Sequence, residues 1–342
     1  MEVIQFDIED ITLLDEFINI QDKYFTSETY IPTPKENLFA VLNKRNPFFN
    51  TAKSRFFILK QNEKFVARVL ATIDSRRNDE EDATVGNLGY FESPDNMNIA
   101  RPLLDSAVSW LRDSGAKSIQ GPMDLHIYNN YRFMTEGFET SPFLSEPRNP
   151  KYYPTIFENY GFKELTYWRS WQIDKAELLK FHNFVASMLK RRKNIHGIEM
   201  SPIDIDNIEH ALSELYETAL DVFKQNFSYS EISREEFVAI FSKLKPFLAP
   251  KSFQIARNNR GEIVGFIYGL IDPFKPGRYI YHTFGVVKEL RFSDITARLT
   301  IAQTENFADI YDESIAALTT SQKSIIERIK KPNRFYKMYE LK

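Results

Sequence analysis

Apolar and polar positions along the chain fall into two runs of the same kind. Residues 54–59 are an aromatic and β-branched stretch, 61–64 a polar turn, and 65–73 a second apolar stretch, a pattern that predicts a β-hairpin. After the charged loop 76–82, residues 85–91 read as another strand. Ile99, Leu103, Leu104, Ala107, Val108 and Leu111 then recur at helical spacing, with Gly115 placed as a helix C-cap. A short strand follows at 118–120 and ends at Gly121-Pro122. Residues 153–160 predict a helix stopped by Gly161, and 162–173 an aromatic-rich strand.

From 175 to 192 the spacing is helical and ends in the basic run 190–193, read as a solvated helix end favoured by the helix dipole. The order then repeats. Residues 198–200 predict a strand, 205–223 and 235–244 helices, and 252–257 with 262–271 a second hairpin around the 258–261 turn. A strand at 279–287, a helix at 293–307, a strand at 314–318, a helix at 322–329 and a closing strand at 335–341 complete the chain. The predicted division is a first domain 1–174, a linker helix 175–197 and a second domain 198–342, matching the usual size of about 100–200 residues per domain.

Composition narrows the chemistry. With 43% hydrophobic and 27% charged residues, the chain is globular in composition rather than disordered. Lys and Arg number 44 against 47 Asp and Glu, a net charge of −3, which argues against a nucleic-acid partner. Cysteine is absent, which removes disulfides, thiolate catalysis and thiolate metal sites. Residues 1–15 lack the basic-then-apolar order of a secretory leader, and the apolar stretch 263–271 falls short of the roughly 18 residues of a membrane span. The expectation is a cytoplasmic protein with no membrane span. The five histidines show no HxH or HExxH spacing, so no metal site is expected. The acidic run 79–82 lacks EF-hand spacing and reads as a solvated loop. GxSxG, Walker A and GxGxxG sequences are also missing.

The element order, with "FQIARNNRGEIVGFIYGLID" (253–272), "YIYHTFGVVKELRFSDITARL" (279–299), "NPKYYPTIFENYGFKEL" (149–165) and "GPMDLHIYNNYRFMTEGFETSPF" (121–143), resembles the GNAT (Gcn5-related N-acetyltransferase) superfamily. The resemblance covers most of the chain and is to a bacterial branch with two such domains. It implies an α/β (α+β) fold of two mixed, mostly antiparallel sheets flanked by helices. It also implies transfer of an acyl group from a phosphopantetheine thioester, inserted where the fourth and fifth strands part. The pyrophosphate of coenzyme A then sits on a helix N-terminus, through free N–H groups and the dipole.

Carried over residue by residue, the donor site of the second domain consists of the backbone at Phe284 and Val286, with Arg291, Ser293, Asp294 and Thr296. The family writes this loop as Arg/Gln-x-x-Gly-x-Gly/Ala. Arg291 is retained, whereas Asp294 and Thr296 replace the glycines, and a carboxylate there opposes a pyrophosphate. The bland reading is that Asp294 or Ser293 is an N-cap. In the first domain the aligned stretch is Asp95-x-x-Asn98-x-Ala100, which also loses the arginine.

For catalysis, His282 is the candidate base, because free imidazole titrates near neutrality. Tyr281 is its neighbour on the fourth strand, so only one of the two faces the groove, and Tyr336 and Tyr339 are candidate acids. His126, Tyr128, Asn129, Asn130 and Tyr152 are the candidate acceptor pocket of the first domain. Three readings stay open: acyl-CoA as donor, an acyl carrier protein as donor, or two non-catalytic domains serving as a binding scaffold. In the transferase readings the acceptor is the amine of a small molecule or lipid base.

Overall fold

The computed structural model describes residues 1–25, 30–31, 33–77, 84–190, 197–224, 226–291, 293–320 and 324–342. The acidic run 79–82, most of the basic run 190–193, and His196 lie outside the described residues. Backbone contacts divide the chain into two units. Unit 1 is Met1–Tyr167 with Ser228–Ser230 and Tyr336–Lys342, and unit 2 is Trp168–Phe227 with Glu231–Phe335.

In chain order, unit 1 holds β1 (Glu2–Phe6), α1 (Ile11–Asn19), α2 (Lys35–Val41), α3 (Phe48–Thr51), β2 (Ala52–Gln61) and β3 (Lys64–Asp74). It continues with β4 (Val85–Glu92), α4 (Met97–Asp113), β5 (Ser118–Gly121), β6 (Phe133–Glu136) and α5 (Tyr153–Tyr160). The chain enters unit 2 within β7 (Lys163–Asp174). There follow α6 (Lys175–Leu189), β8 (Glu199–Pro202), α7 (Ile208–Phe223), α8 (Arg234–Phe241), β9 (Phe253–Arg257) and β10 (Ile263–Ile271). Then come β11 (Arg278–Val286), α9 (Ile295–Phe307), β12 (Glu313–Thr320) and β13 (Arg334–Leu341), the last returning the chain to unit 1.

Each unit carries the same order of six strands, and in unit 1 β6 pairs in addition with β13. In unit 1 the order is β1-β2-β3-β4-β5-β13, in unit 2 β8-β9-β10-β11-β12-β7. Every neighbouring pair is antiparallel except β4 with β5 and β11 with β12. The sixth strand of unit 1 is thus the end of the chain, where the sequence pattern assigns 335–341 to the second domain. The sixth strand of unit 2 is the stretch placed by that pattern at the end of the first.

The predicted hairpin forms for a local reason. Asn62 and Glu63 adopt φ of 48° and 59°, the two left-handed positions of a tight hairpin turn, and Gln61 pairs with Lys64. In β2, Phe57 and Leu59 face α4, whereas Phe56 and Ile58 face α1. Both faces are covered, so the strand reads as an unbroken apolar run rather than an alternating one. Helix α4 starts where the Asn96 side chain accepts the Asn98 N–H at 2.9 Å, and Gly115 follows its end at φ 99°. The predicted helix 235–244 ends early at Phe241 and tightens into a 3-10 turn over Ser242–Phe247, which contains Pro246.

Candidate active site

In unit 2 the parallel pair β11–β12 holds only from Arg278 opposite Glu313 to Tyr281 opposite Ala316. Beyond that point β11 stays on β10, with Thr283 to Val286 opposite Tyr268 to Gly265. Strand β12 stays on β7, with Thr319 opposite Arg169. The two strands therefore part. Both carry an irregularity there: His282 is an extra residue between the pairs Tyr281–Gly269 and Thr283–Tyr268, and Leu318 takes φ 50°. Bulges of this kind re-aim side chains and end pairing. Among the described residues, no strand pairs with the freed edge of β11.

The residues expected at the donor site lie on β11 and on the turn into α9. Phe284 is 62% exposed on β11, an unusual position for a large apolar ring. Val286 is buried against Ile295 and Leu299 of α9. At the start of α9 the Ser293 hydroxyl accepts the Ile295 N–H at 3.2 Å. Asp294 stands at the cap position, buried, makes no cap hydrogen bond, and lies 4.0 Å from the Arg298 guanidinium. The capping role thus falls to Ser293. Arg291 and Thr296 are half-buried, and the Thr296 carbonyl accepts the Thr300 hydroxyl at 2.8 Å.

Tyr281 and His282 sit where the strands part. Burial pushes the Tyr281 phenol well above its ordinary range, with Ser314 acting weakly the other way. The His282 ring stacks on Tyr268 at 5.2 Å, and its Nδ1 is 2.8 Å from the Thr283 hydroxyl. The extra residue breaks strict strand alternation at this pair. Tyr336 belongs to unit 1, is fully buried, and donates its proton to Glu146 at 2.5 Å.

In unit 1 the corresponding opening is filled. Strands β4 and β5 pair from Val85–Ser118 to Asn87–Gln120. The chain then turns back on β4 through the cis Gly121-Pro122 bond. The Met123 N–H donates to the Leu88 carbonyl at 2.8 Å, and the Asp124 carboxylate accepts the Tyr90 N–H at 2.5 Å. A Cβ on Gly89 would lie 2.1 Å from the Met123 oxygen. Burial raises the Asp124 carboxyl to about 6, against the lowering pull of the Tyr90 N–H.

The expected acceptor residues divide. His126 is buried edge-on to Phe48 and Tyr128, and the backbone of Asn129 and Asn130 closes a turn on His126 and Asp124. Only Tyr152 reaches the cavity of unit 1, a space of about 420 Å³ walled by Tyr24, Phe25, Tyr30, Phe138 and Asn149 as well. That volume is in the small-molecule range. Close to these tyrosines lies Glu92, which is buried, pairs with Arg68 at 3.2 Å and accepts the Tyr153 hydroxyl at 3.3 Å. Burial raises the Glu92 carboxyl, and Arg68 opposes this. The sequence held a signal for this pair: a lone acid and a lone base, each in an apolar strand, that stand opposite each other in register.

No family model matches the chain. It is similar to protein YghO of Escherichia coli K12, 21% identical over 333 residues, covering 87% of this chain and 85% of that protein. It is similar to the bacterial ceramide synthase of Caulobacter vibrioides NA1000 / CB15N, 22% identical over 215 residues, covering 63% of this chain and 55% of that protein. Among solved structures it matches a tandem GNAT protein from the clavulanic acid biosynthesis pathway, with a TM-score of 0.57 and 9% identity over 99% of this chain and 98% of that one. It also matches a conserved protein of Enterococcus faecalis V583 described as a probable N-acyltransferase, with a TM-score of 0.56 and 12% identity over 99% of this chain and 72% of that one. The chain has a tandem GNAT fold. No described helix is long and apolar enough to cross a membrane.

Proposed function

We propose that this protein is an N-acyltransferase that moves an acyl group from a phosphopantetheine thioester to the amine of a small molecule or lipid base. The observation that carries this reading is the contrast between the two strand openings. In unit 2 the edge of β11 beyond Tyr281 is unpaired among the described residues, whereas in unit 1 the same place is taken by residues 121–124. Unit 2 is then the donor unit, with the β11 backbone at Phe284 and Val286 along the pantetheine arm and Arg291, Ser293 and Thr296 near its phosphate. The distant likeness to a ceramide synthase supports a lipid base as acceptor.

In this reading the amine nitrogen attacks the thioester carbonyl, a C–N bond forms and the C–S bond breaks. His282 takes the proton of the attacking amine. Tyr281, kept neutral by burial, gives its proton to the leaving thiolate. Tyr336 has its proton committed to Glu146, so the acid role passes to Tyr281. The buried Asp294 carboxylate at the helix start disfavours a pyrophosphate. This favours an acyl carrier protein, with one phosphate, over acyl-CoA.

The test is binding of acyl-CoA of graded chain length and of acylated carrier protein, read by calorimetry and thermal shift. A donor at 100 times its Kd stabilises the native state by about 2.7 kcal/mol. The expected result is saturation with a chain-length optimum, and Arg291→Ala weakening donor binding about tenfold, or about 1.4 kcal/mol. Absence of any response to either donor class overturns the reading. The Asp294 carboxylate also favours a second reading, a binding scaffold without catalysis. Thioester-dependent product with any amine removes it.

A further inference from the structure

We infer that the cavity of unit 1 binds a primary ammonium carried on an apolar stem. Identifying that ligand with the acceptor rests on the acyl-transfer reading, but the binding itself does not.

The argument follows the hydrogen-bond donors. A phenol has one proton to give and otherwise accepts. Each tyrosine of the cavity wall has spent that proton on the protein. Tyr24 donates to the Val66 carbonyl, Tyr30 to the Asp22 carboxylate, and Tyr152 to the Ser93 carbonyl at 2.8 Å. Burial raises all three phenols, Tyr24 to about 12, so they stay neutral. Toward a ligand they present only lone pairs and ring faces. Asn149 and Arg148 of the wall are bonded within the protein as well. The Asn149 amide donates to the Met134 and Pro150 carbonyls and accepts the Met134 N–H. Arg148 donates to Glu146 and to the carbonyls of Phe138 and Thr140.

The surrounding charge points the same way. The carboxylates of Asp22 and Glu92 act on Tyr30, and those of Asp95 and Glu92 on Tyr152. Arg68 is held by Glu92 and by the Phe17 carbonyl at 2.8 Å, and Arg148 of the wall by the Glu146 carboxylate at 2.9 Å. Exposed Glu139 and Lys151 bring one charge of each sign to the lining, and the Lys151 ammonium lies 5.5 Å from the Phe138 ring centroid. An alcohol brings one donor to this wall, and a carboxylate brings none and is repelled. An ammonium brings three donors, a positive charge and affinity for aromatic faces. Phe138 and Phe25, whose ring stacks on Tyr30 at 3.6 Å, offer apolar surface to the stem.

The test is calorimetric titration of the full chain, without thioester, with n-octylamine, 1-octanol and octanoate at neutral pH. The amine is expected to bind about tenfold more tightly than either isostere. Tyr30→Phe and Tyr152→Phe keep the rings and remove the oxygens. Each is expected to cost amine affinity several-fold and to leave octanol affinity unchanged, with unchanged Tm confirming folding. Equal binding of the three probes, no binding of any, or equal loss of amine and octanol in both variants overturns the proposal. Thioester turnover is measured separately. If it is absent while the amine preference persists, only the transfer reading falls. If turnover is present without the preference, only this one does.

Discussion

Asp124 carries the clearest cost of any single side chain. Its carboxyl moves from an ordinary 3.8 to about 6 because it is buried, so the folded state binds the proton more tightly than the unfolded chain. The stabilisation is full below pH 4 and is lost as pH rises through 6. Asp124→Asn is neutral throughout and keeps an acceptor for the Tyr90 N–H. Its stability relative to the natural protein is expected to climb between pH 4 and 7, by about 3 kcal/mol. Urea midpoints against pH would show a flat difference if the argument fails. At Tyr281, replacement by Phe keeps the packing on Tyr279 and removes the proton. It is expected to lower kcat about a hundredfold with little change in KM for the donor. Part of the residue scale was legible in the sequence: the order of the elements puts Tyr281, His282 and Phe284 on β11 and Ser293 at the start of α9. Tyr24 and Tyr30 were not, because separate segments wall their cavity and no local spacing marks them, and the Arg68–Glu92 pair shows only as two lone charges in apolar strands. Tyr336 reads as an acid in sequence, but its partner Glu146 lies 190 residues away.

At the scale of elements, close approach decides which glycines matter. A Cβ on Gly89 would meet backbone, the Met123 oxygen at 2.1 Å, whereas one on Gly285 would meet a side chain, Val222 Cγ1 at 2.4 Å. Both Ala variants are expected to lose about 1–3 kcal/mol. Only the second should be rescued by a companion Val222→Ala, because a side chain can be trimmed and a carbonyl cannot. A thermal-melt double-mutant cycle measures this. Elements whose signals are local were legible: the β2–β3 hairpin from its turn, α4 from its spacing and cap, and α5 from Gly161. Strand β6 has four residues inside a loop-like stretch and gives no periodic signal. The segment that fills the β4–β5 opening was also hidden, since it acts through backbone groups, which every residue carries.

At the scale of the molecule, the repeated order predicts two similar units, and both have the same order of six strands, with β6 added beside β13 in unit 1. The exchange of sixth strands was not legible. Two strands of similar composition stand near the ends of the two repeats, and hydrophobic pattern does not say which sheet each joins. Removing Tyr336–Lys342 takes away the partner of β5, whose Gly121 pairs with Tyr339, and the Tyr339 bond to Glu158 at 3.0 Å. Hydrogen exchange is expected to show loss of protection at Ser118–Gly121 with β9 and β10 unaffected. Uniform loss across both units, or none, would contradict the division.

That same strand sets a clock on synthesis. Unit 1 is nearly complete when Tyr167 is made, yet its last strand follows only after the whole of unit 2. At about 5–20 residues per second, the wait is roughly ten to thirty seconds on the ribosome. Through that interval β5 has an open edge, the kind of surface on which nascent chains associate. It is only four residues long and follows Lys117, and both features blunt such an edge. Yield of soluble protein should therefore depend on translation rate between 168 and 335 more than on the codons that encode unit 1 itself.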